Sequence, residues 1–154
     1  TLSVAKLGSN IAPLYPSLSR DLLICGIILH DIGKISELCY EKSFHYSDEG
    51  QLIGHLISGV LMVEEKAKQI DDFPKTLLDL LRHLILSHHG EYEWGSPKLP
   101  MTLEALVLHY LDNIDAKIHA FDKAISSDKD SSDNWTIYNR MLERKLFKKS
   151  HDYV

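Results

Sequence analysis

The chain has 154 residues, of which 44% are hydrophobic and 25% charged, an ordinary globular composition that excludes extensive disorder. Its 17 Lys and Arg against 22 Asp and Glu give a net charge of −5, so any contact with nucleic acid is confined to a local surface. The longest apolar run, residues 22–29, is far shorter than the ~20 residues needed to span a bilayer, and we find no signal peptide; both features favour the cytoplasm.

Hydrophobic spacing predicts an all-α fold of about six helices. The first helix ends before Pro13 and Pro16. The second is capped by Ser17 or Ser19, ends near Gly33, and is apolar on most sides, so we expect it to be the buried central helix. Residues 35–47 are predicted to be a loop.

Four further helices are predicted, each opened by a capping residue. They begin, in chain order, at Ser47, Asp72, Thr102, and Asp133 or Asn134. The fourth helix stops at Gly90, the fifth near Ala124 and the sixth at Lys149. Between the fourth and fifth helices lies a loop rich in Gly and Pro, residues 91–101.

An adjacent pair, His30 and Asp31, stands at the end of the most apolar predicted helix. An unpaired carboxylate at such a place is costly, and a bound cation would compensate it directly. Imidazole nitrogen and carboxylate oxygen together suit a divalent metal of intermediate hardness. A solvated helix end with the two residues adjacent by chance is the alternative.

Three other helices carry imidazole or carboxylate groups in apolar surroundings: His55 in the third, His88-His89 at the end of the fourth, and Asp112 in the fifth. Taken singly, His55 could be a core histidine with a hydrogen-bond partner, and the histidine pair could interact with the helix dipole. Taken together with His30 and Asp31, the set has no cysteine. It therefore suits two-metal phosphoester hydrolysis better than a structural zinc site.

This arrangement resembles the ligand pattern of the HD-domain metal-dependent phosphohydrolases, and the full set resembles their two-metal branch. Within the superfamily, four segments are similar to the C-terminal HD domain of bacterial YhaM-type 3′–5′ exoribonucleases, and the similarity covers essentially residues 1–125. The segments are His30–Lys34, Gly54-His55, Leu86–Glu91 with Trp94–Pro97, and His109–Lys117. The resemblance implies an HD-domain helical bundle with a buried metal site.

The resemblance also implies a set of site residues. Two divalent ions (Mn, Co, Fe or Mg) would be held by His30, Asp31, His55, His88, His89 and Asp112. Asp31 would bridge the ions. Lys34 would meet a phosphate oxygen, unless it is only a favourable cation at a helix end.

The activity that the resemblance implies is that of a 3′–5′ exoribonuclease, which releases mononucleotides from single-stranded RNA. The alternatives are a nucleotide or deoxynucleotide phosphohydrolase of the HD superfamily and a non-catalytic nucleic-acid-binding module. The family's first histidine ligand would stand directly before Thr1, and its N-terminal OB-fold domain is missing from this sequence. We therefore expect residues 1–154 to be a single HD domain cut from a longer protein.

Three further features allow two interpretations each. Trp94, in the loop of residues 91–101, could stack on a nucleobase or cover the core. His109 is interpreted as a packing or surface histidine. The basic residues from Arg140 to Lys149, on the predicted sixth helix, could follow a nucleic-acid backbone, but Glu143 among them favours a solvated face.

Overall fold

The computed structural model describes residues 1–39, 45–128 and 133–148. The chain divides into two compact units, Thr1–Asp112 and Asn113–Val154. The helices are α1 (Leu2–Ile11), α2 (Arg20–Leu29), α3 (Lys34–Glu37), α4 (Asp48–Ile53), α5 (His55–Ala67), α6 (Lys75–Ser87) and α7 (Leu103–Ser126). Single 3₁₀ turns lie at Ala12–Leu14 and Tyr92–Trp94, and two-residue strands β1 (Leu38–Cys39) and β2 (His45–Tyr46) pair antiparallel. The predicted all-α class is confirmed.

The core of the first unit is built around α2, which packs against α1 and α6. Leu23 and Ile27 of α2, Leu84 and Ile85 of α6, and Leu108 of α7 are fully buried. The prediction that the second helix is central is therefore confirmed. Among the described residues, no helix combines the length and the apolarity needed to cross a membrane.

Side-chain caps set the starts of three helices as predicted. The hydroxyl groups of Ser19, Ser47 and Thr102 accept hydrogen bonds from the backbone N–H three residues later, at 3.4, 2.9 and 3.1 Å. Each bond satisfies one of the N–H groups that a helix start leaves without an intrahelical partner.

The structure differs from the prediction on both sides of the site. The second helix ends at Leu29, and residues 30–33 form a turn that leads directly into α3, where a loop was expected. The predicted third helix is split into α4 and α5 at Gly54, whose φ of 77° and ψ of 159° interrupt the helical path. Glycine adopts such a positive φ without steric cost. The break makes His55 the first residue of a new helix.

The prediction of a sixth helix from residue 133 or 134 to 149 is wrong for the described residues, 133–148. Instead, antiparallel bridges join Trp135 to Phe147 and Asn139 to Arg144. The aromatic and β-branched residues at 135–138 favour extended backbone. The side chain of Asn139 accepts bonds from the N–H groups two and three residues later, which favours a turn. The three- and four-residue spacing of the basic residues therefore does not define a helix face.

Candidate metal centre

Asp31 lies at the centre of a cluster of imidazoles. Its Oδ2 is 3.4 Å from Nε2 of His30, and its Oδ1 is 3.7 Å from Nε2 of both His55 and His88. These residues come from the turn after α2, the start of α5 and the end of α6. The fold therefore brings three of the other five predicted ligands to the carboxylate of Asp31.

The other two predicted ligands flank this carboxylate. The ring of His89 lies 4.5 Å from that of His88 and 5.2 Å from that of His55, centroid to centroid. Asp112 contacts the cluster at His30: Oδ1 of Asp112 lies 3.6 Å from Nε2 of His30. In the part of the chain that the structure describes, two sets of three residues each have ligand atoms within 4.8 Å of one another: His30, Asp31 and His88, and His55, His88 and His89.

Each of the four imidazoles is oriented by a hydrogen bond at its Nδ1. The acceptors are the carbonyl oxygen of Ile27 for His30 (2.7 Å), that of Ile85 for His88 (2.8 Å), that of Trp94 for His89 (3.0 Å), and Oε1 of Glu37 for His55 (3.1 Å). When Nδ1–H donates in this way, Nε2 remains the atom that can bind a metal.

Two polar atoms in the cluster have no hydrogen-bond partner. Among the described residues, the buried side-chain atoms in this state are Oδ1 of Asp31 and Nε2 of His55. Leaving a buried polar atom unsatisfied costs about 1–3 kcal/mol, so such atoms require a physical explanation. Both are ordinary metal donors, and with the neighbouring imidazoles they form a nitrogen and oxygen donor set that fits a divalent cation.

The charges of the cluster are set by opposing effects. Burial would lower the pKa of His30, but hydrogen bonds with Asp112 and Asp31 raise it to about 9. Burial would raise the pKa of Asp31, but hydrogen bonds with His30 and Lys34 hold it well below its usual range. Burial and the nearby His30 charge lower the pKa of His88 to about 3. At neutral pH the Asp31 carboxylate is therefore ionised and the His88 imidazole neutral, as metal binding needs, whereas His30 is protonated and has to release its proton before it can bind a metal.

Lys34 lies at the edge of the cluster as the first residue of α3. Its Nζ is 2.6 Å from Oδ2 of Asp31, the oxygen that also faces His30. The Lys34 side chain is 43% exposed, so its ammonium group is in contact with both the cluster and the solvent.

Glu37 supports the cluster, and the sequence analysis missed it. Its side chain is buried, and Oε1 lies 3.1 Å from both the backbone N and the ring Nδ1 of His55. The bond to the backbone N–H satisfies the first residue of α5, and the bond to the ring orients the imidazole. An acidic residue inside a segment predicted to be a loop carries no signal that could have indicated this role.

His109 has the packing role that was one of its two predicted interpretations. It is buried on α7, and its Nδ1 lies 2.9 Å from the carbonyl oxygen of His88. A Cβ on Gly90 would collide with the His109 ring. His109 therefore packs closely against the backbone that follows α6.

We expect Glu37→Gln to weaken divalent-metal affinity about tenfold, within the ~10–100-fold range for removal of such supporting groups. The amide can still accept the Nδ1–H bond, but it loses the negative charge that makes the His55 ring a stronger donor. Calorimetric titration with Mn²⁺ measures the change. The control is Glu49→Gln, an exposed carboxylate in the first turn of α4. Equal affinities in the two variants would show that Glu37 has no influence on the metal.

Comparison with known proteins shows the family to which the chain belongs. The HD domain profile matches residues 1–117. The chain is 44% identical over 151 residues to a protein named 3′-5′ exoribonuclease YhaM from Bacillus licheniformis, and 45% identical over 148 residues to the Bacillus subtilis protein of that name. The alignments cover 96% of this chain but 48% and 46% of those proteins, so the chain spans about half the length of the curated relatives it matches. No solved structure gives a significant match. The chain therefore belongs to the HD domain family, and its His and Asp side chains form groups that can hold a metal.

Proposed function

We propose that the chain is the catalytic domain of a metal-dependent 3′–5′ exoribonuclease that releases mononucleotides from single-stranded RNA. The observation that carries the proposal is the pair of unpartnered donor atoms, Oδ1 of Asp31 and Nε2 of His55, inside the histidine cluster of an HD domain. RNA as the substrate class is supported by the relatives that carry the name exoribonuclease. The single-domain organisation of residues 1–154 and the cytoplasmic location stay predictions.

The proposed site would hold two divalent ions. The two oxygens of Asp31 face different imidazoles, Oδ2 toward His30 and Oδ1 toward His55 and His88, so Asp31 would supply a donor oxygen on each side of the cluster. Asp112 would complete the side near His30, and His89 the side near His55. The nitrogen-rich donor set favours Mn, Co or Fe, with Mg the hardest of the candidate ions.

Divalent ions, when bound, supply the means to acidify a water molecule and to offset negative charge on the phosphate. The chain's own part is to present the donors already oriented. Asp31 is ionised, the His88 imidazole is neutral, and the Nδ1 bonds fix the rings. Lys34, at the edge of the cluster, brings a positive donor to a point where a phosphate oxygen can accept a charge-assisted hydrogen bond.

The test is product analysis with a 5′-labelled single-stranded RNA. We expect shortening from the 3′ end with release of mononucleotides, stopped by a chelator and restored by Mn²⁺. Inorganic phosphate released from free mononucleotides while the RNA stays intact would favour a nucleotide phosphohydrolase. RNA binding without hydrolysis under any divalent metal would favour a non-catalytic module. Either of these two results contradicts the proposal.

A further inference from the structure

Trp94, a residue with an exposed side chain, contacts a proposed metal ligand through its backbone. Trp94 closes the 3₁₀ turn Tyr92–Trp94, and its carbonyl oxygen accepts the bond from Nδ1 of His89 at 3.0 Å. The residue is nevertheless 53% exposed, so about half of its surface is open to a ligand. An exposed aromatic ring next to a proposed reaction site is available to stack on a ligand.

The backbone that carries Trp94 is held firmly. The turn is closed by bonds from the N–H groups of Trp94 and Gly95 to the carbonyls of Glu91 and Tyr92, at 3.1 and 3.0 Å. Ser96, which is buried, then donates through its hydroxyl to the carbonyls of Leu86 and Lys98 at 3.1 and 2.7 Å. Since Leu86 belongs to α6, this side of the loop is bound to the helix that ends at Ser87, directly before His88.

The indole also has support from the core. Its ring centroid lies 5.8 Å from that of His109, with 36° between the planes. His109 is buried and holds the carbonyl of His88. Trp94 is therefore connected to the cluster by two short routes, one from its backbone carbonyl to His89 and one from its ring through His109 to the carbonyl of His88. A rigid support of this kind lowers the entropy lost when a ligand stacks on the ring.

We propose that Trp94 is a base-binding residue, on which a nucleobase flanking the scissile phosphate stacks. The inference rests on the proposed function, because it assigns a subsite to the same reaction. Stacking tolerates any base, since every base offers an aromatic face, so this subsite favours single-stranded RNA without selecting its sequence. It also discriminates against phosphoesters that have no base.

The kinetic test compares two RNA oligonucleotides of equal length, one normal and one whose last two residues at the 3′ end lack bases. The parent protein is Trp135→Phe, which leaves Trp94 as the sole tryptophan, and the variant adds Trp94→Ala. We expect the variant to raise KM for the normal RNA about tenfold, the usual scale for the loss of one stacked base. On the RNA with the two abasic residues, parent and variant should have the same KM. Trp94→Phe should recover part of the loss.

A structural role for the indole would give a different pattern. The bond to His89 uses the backbone of Trp94, so the alanine variant should keep its affinity for Mn²⁺. A tenfold rise in KM on both RNAs, or weaker Mn²⁺ binding, would overturn the proposal by showing a disturbed site. An unchanged KM on normal RNA would overturn it directly.

Fluorescence separates this proposal from the exoribonuclease activity. In the Trp135→Phe parent with chelator present, single-stranded RNA should quench the Trp94 emission, and the same strand without bases should leave it unchanged. Absence of quenching by normal RNA would refute base stacking even if hydrolysis is observed. Quenching in a protein that hydrolyses no RNA would support the stacking site and contradict the proposed reaction.

Discussion

Replacement of Asp31 by Ala or Asn should lower metal-dependent RNA hydrolysis at least ~100-fold, since loss of supporting groups alone weakens metal affinity by up to that factor. The two oxygens of Asp31 together face His30, His55 and His88. Of the other carboxylates described at the cluster, Asp112 lies on the side of His30 and Glu37 contacts Nδ1 of His55, so neither takes the place of Asp31 between the three imidazoles. The asparagine variant keeps the size of the side chain and loses the charge, so it isolates the ligand role.

The helical fold should survive both substitutions. Asp31 lies in the turn between α2 and α3, outside the packed core, and its partner Lys34 can turn to solvent when the carboxylate is removed. Circular dichroism, Mn²⁺ titration and RNA hydrolysis are measured on each variant, with Asp21→Asn as the control. Asp21 is a carboxylate in the first turn of α2 with a side chain that is 97% exposed. Hydrolysis by Asp31→Asn within tenfold of the control would rule out a bridging carboxylate.

The side chains of the cluster could be predicted from the sequence as candidate ligands because they lie among apolar residues, where a polar group is costly to bury without a partner. His30 and Asp31 follow the most apolar helix, and Asp112 follows an apolar stripe, so each needed a partner in the fold. The structure shows that they lie together, at 3.4 and 3.6 Å from Nε2 of His30. That these side chains bind a metal is part of the proposed function.

The sequence could not indicate the contacts made between distant segments. Glu37 contacts His55, which lies 18 positions later in the chain. The helix breaks at Gly54, directly before His55, although the hydrophobic pattern of the sequence continues through this position. The periodicity of hydrophobic residues predicts which face of a helix is buried, but it does not predict which loop residue will contact that helix. The predicted sixth helix failed for a local reason, because Asn139 bonds through its own side chain to the backbone N–H groups two and three residues later, which favours a turn.

The second large effect is expected from Gly33→Ala, at the point where the His-Asp turn meets α5. A Cβ on Gly33 would collide with the carbonyl oxygen of His55, and it would lie 2.7 Å from the backbone N of Gly59 and 2.8 Å from the carbonyl carbon of His55. All of these atoms belong to backbone, so no rotamer change can relieve the overlap. The two segments have to separate by a large fraction of an ångström.

We expect this separation to cost about 3 kcal/mol of unfolding free energy, the upper end for overpacking. For a chain of this size that corresponds to a thermal midpoint lower by roughly 6–12 °C. The matched control is Gly59→Ala, on the opposite side of the same contact, where a Cβ finds its nearest atoms at 3.4 Å and is accommodated.

The same separation should reach the metal centre, because Gly33 follows Asp31 by two residues and its neighbour across the contact is the backbone of His55. Displacing Nε2 of His55 from its 3.7 Å approach to Oδ1 of Asp31 takes one donor out of position. A shift of about 1 Å in a reacting site can reduce the rate roughly 100-fold, so we expect that loss in RNA hydrolysis together with weaker Mn²⁺ binding. Thermal unfolding with a chelator present measures the packing cost, and Mn²⁺ titration measures the displacement of the ligand. If Gly33→Ala unfolds at the same temperature as Gly59→Ala and binds Mn²⁺ equally well, the close approach of the His-Asp turn to α5 does not position the two ligands.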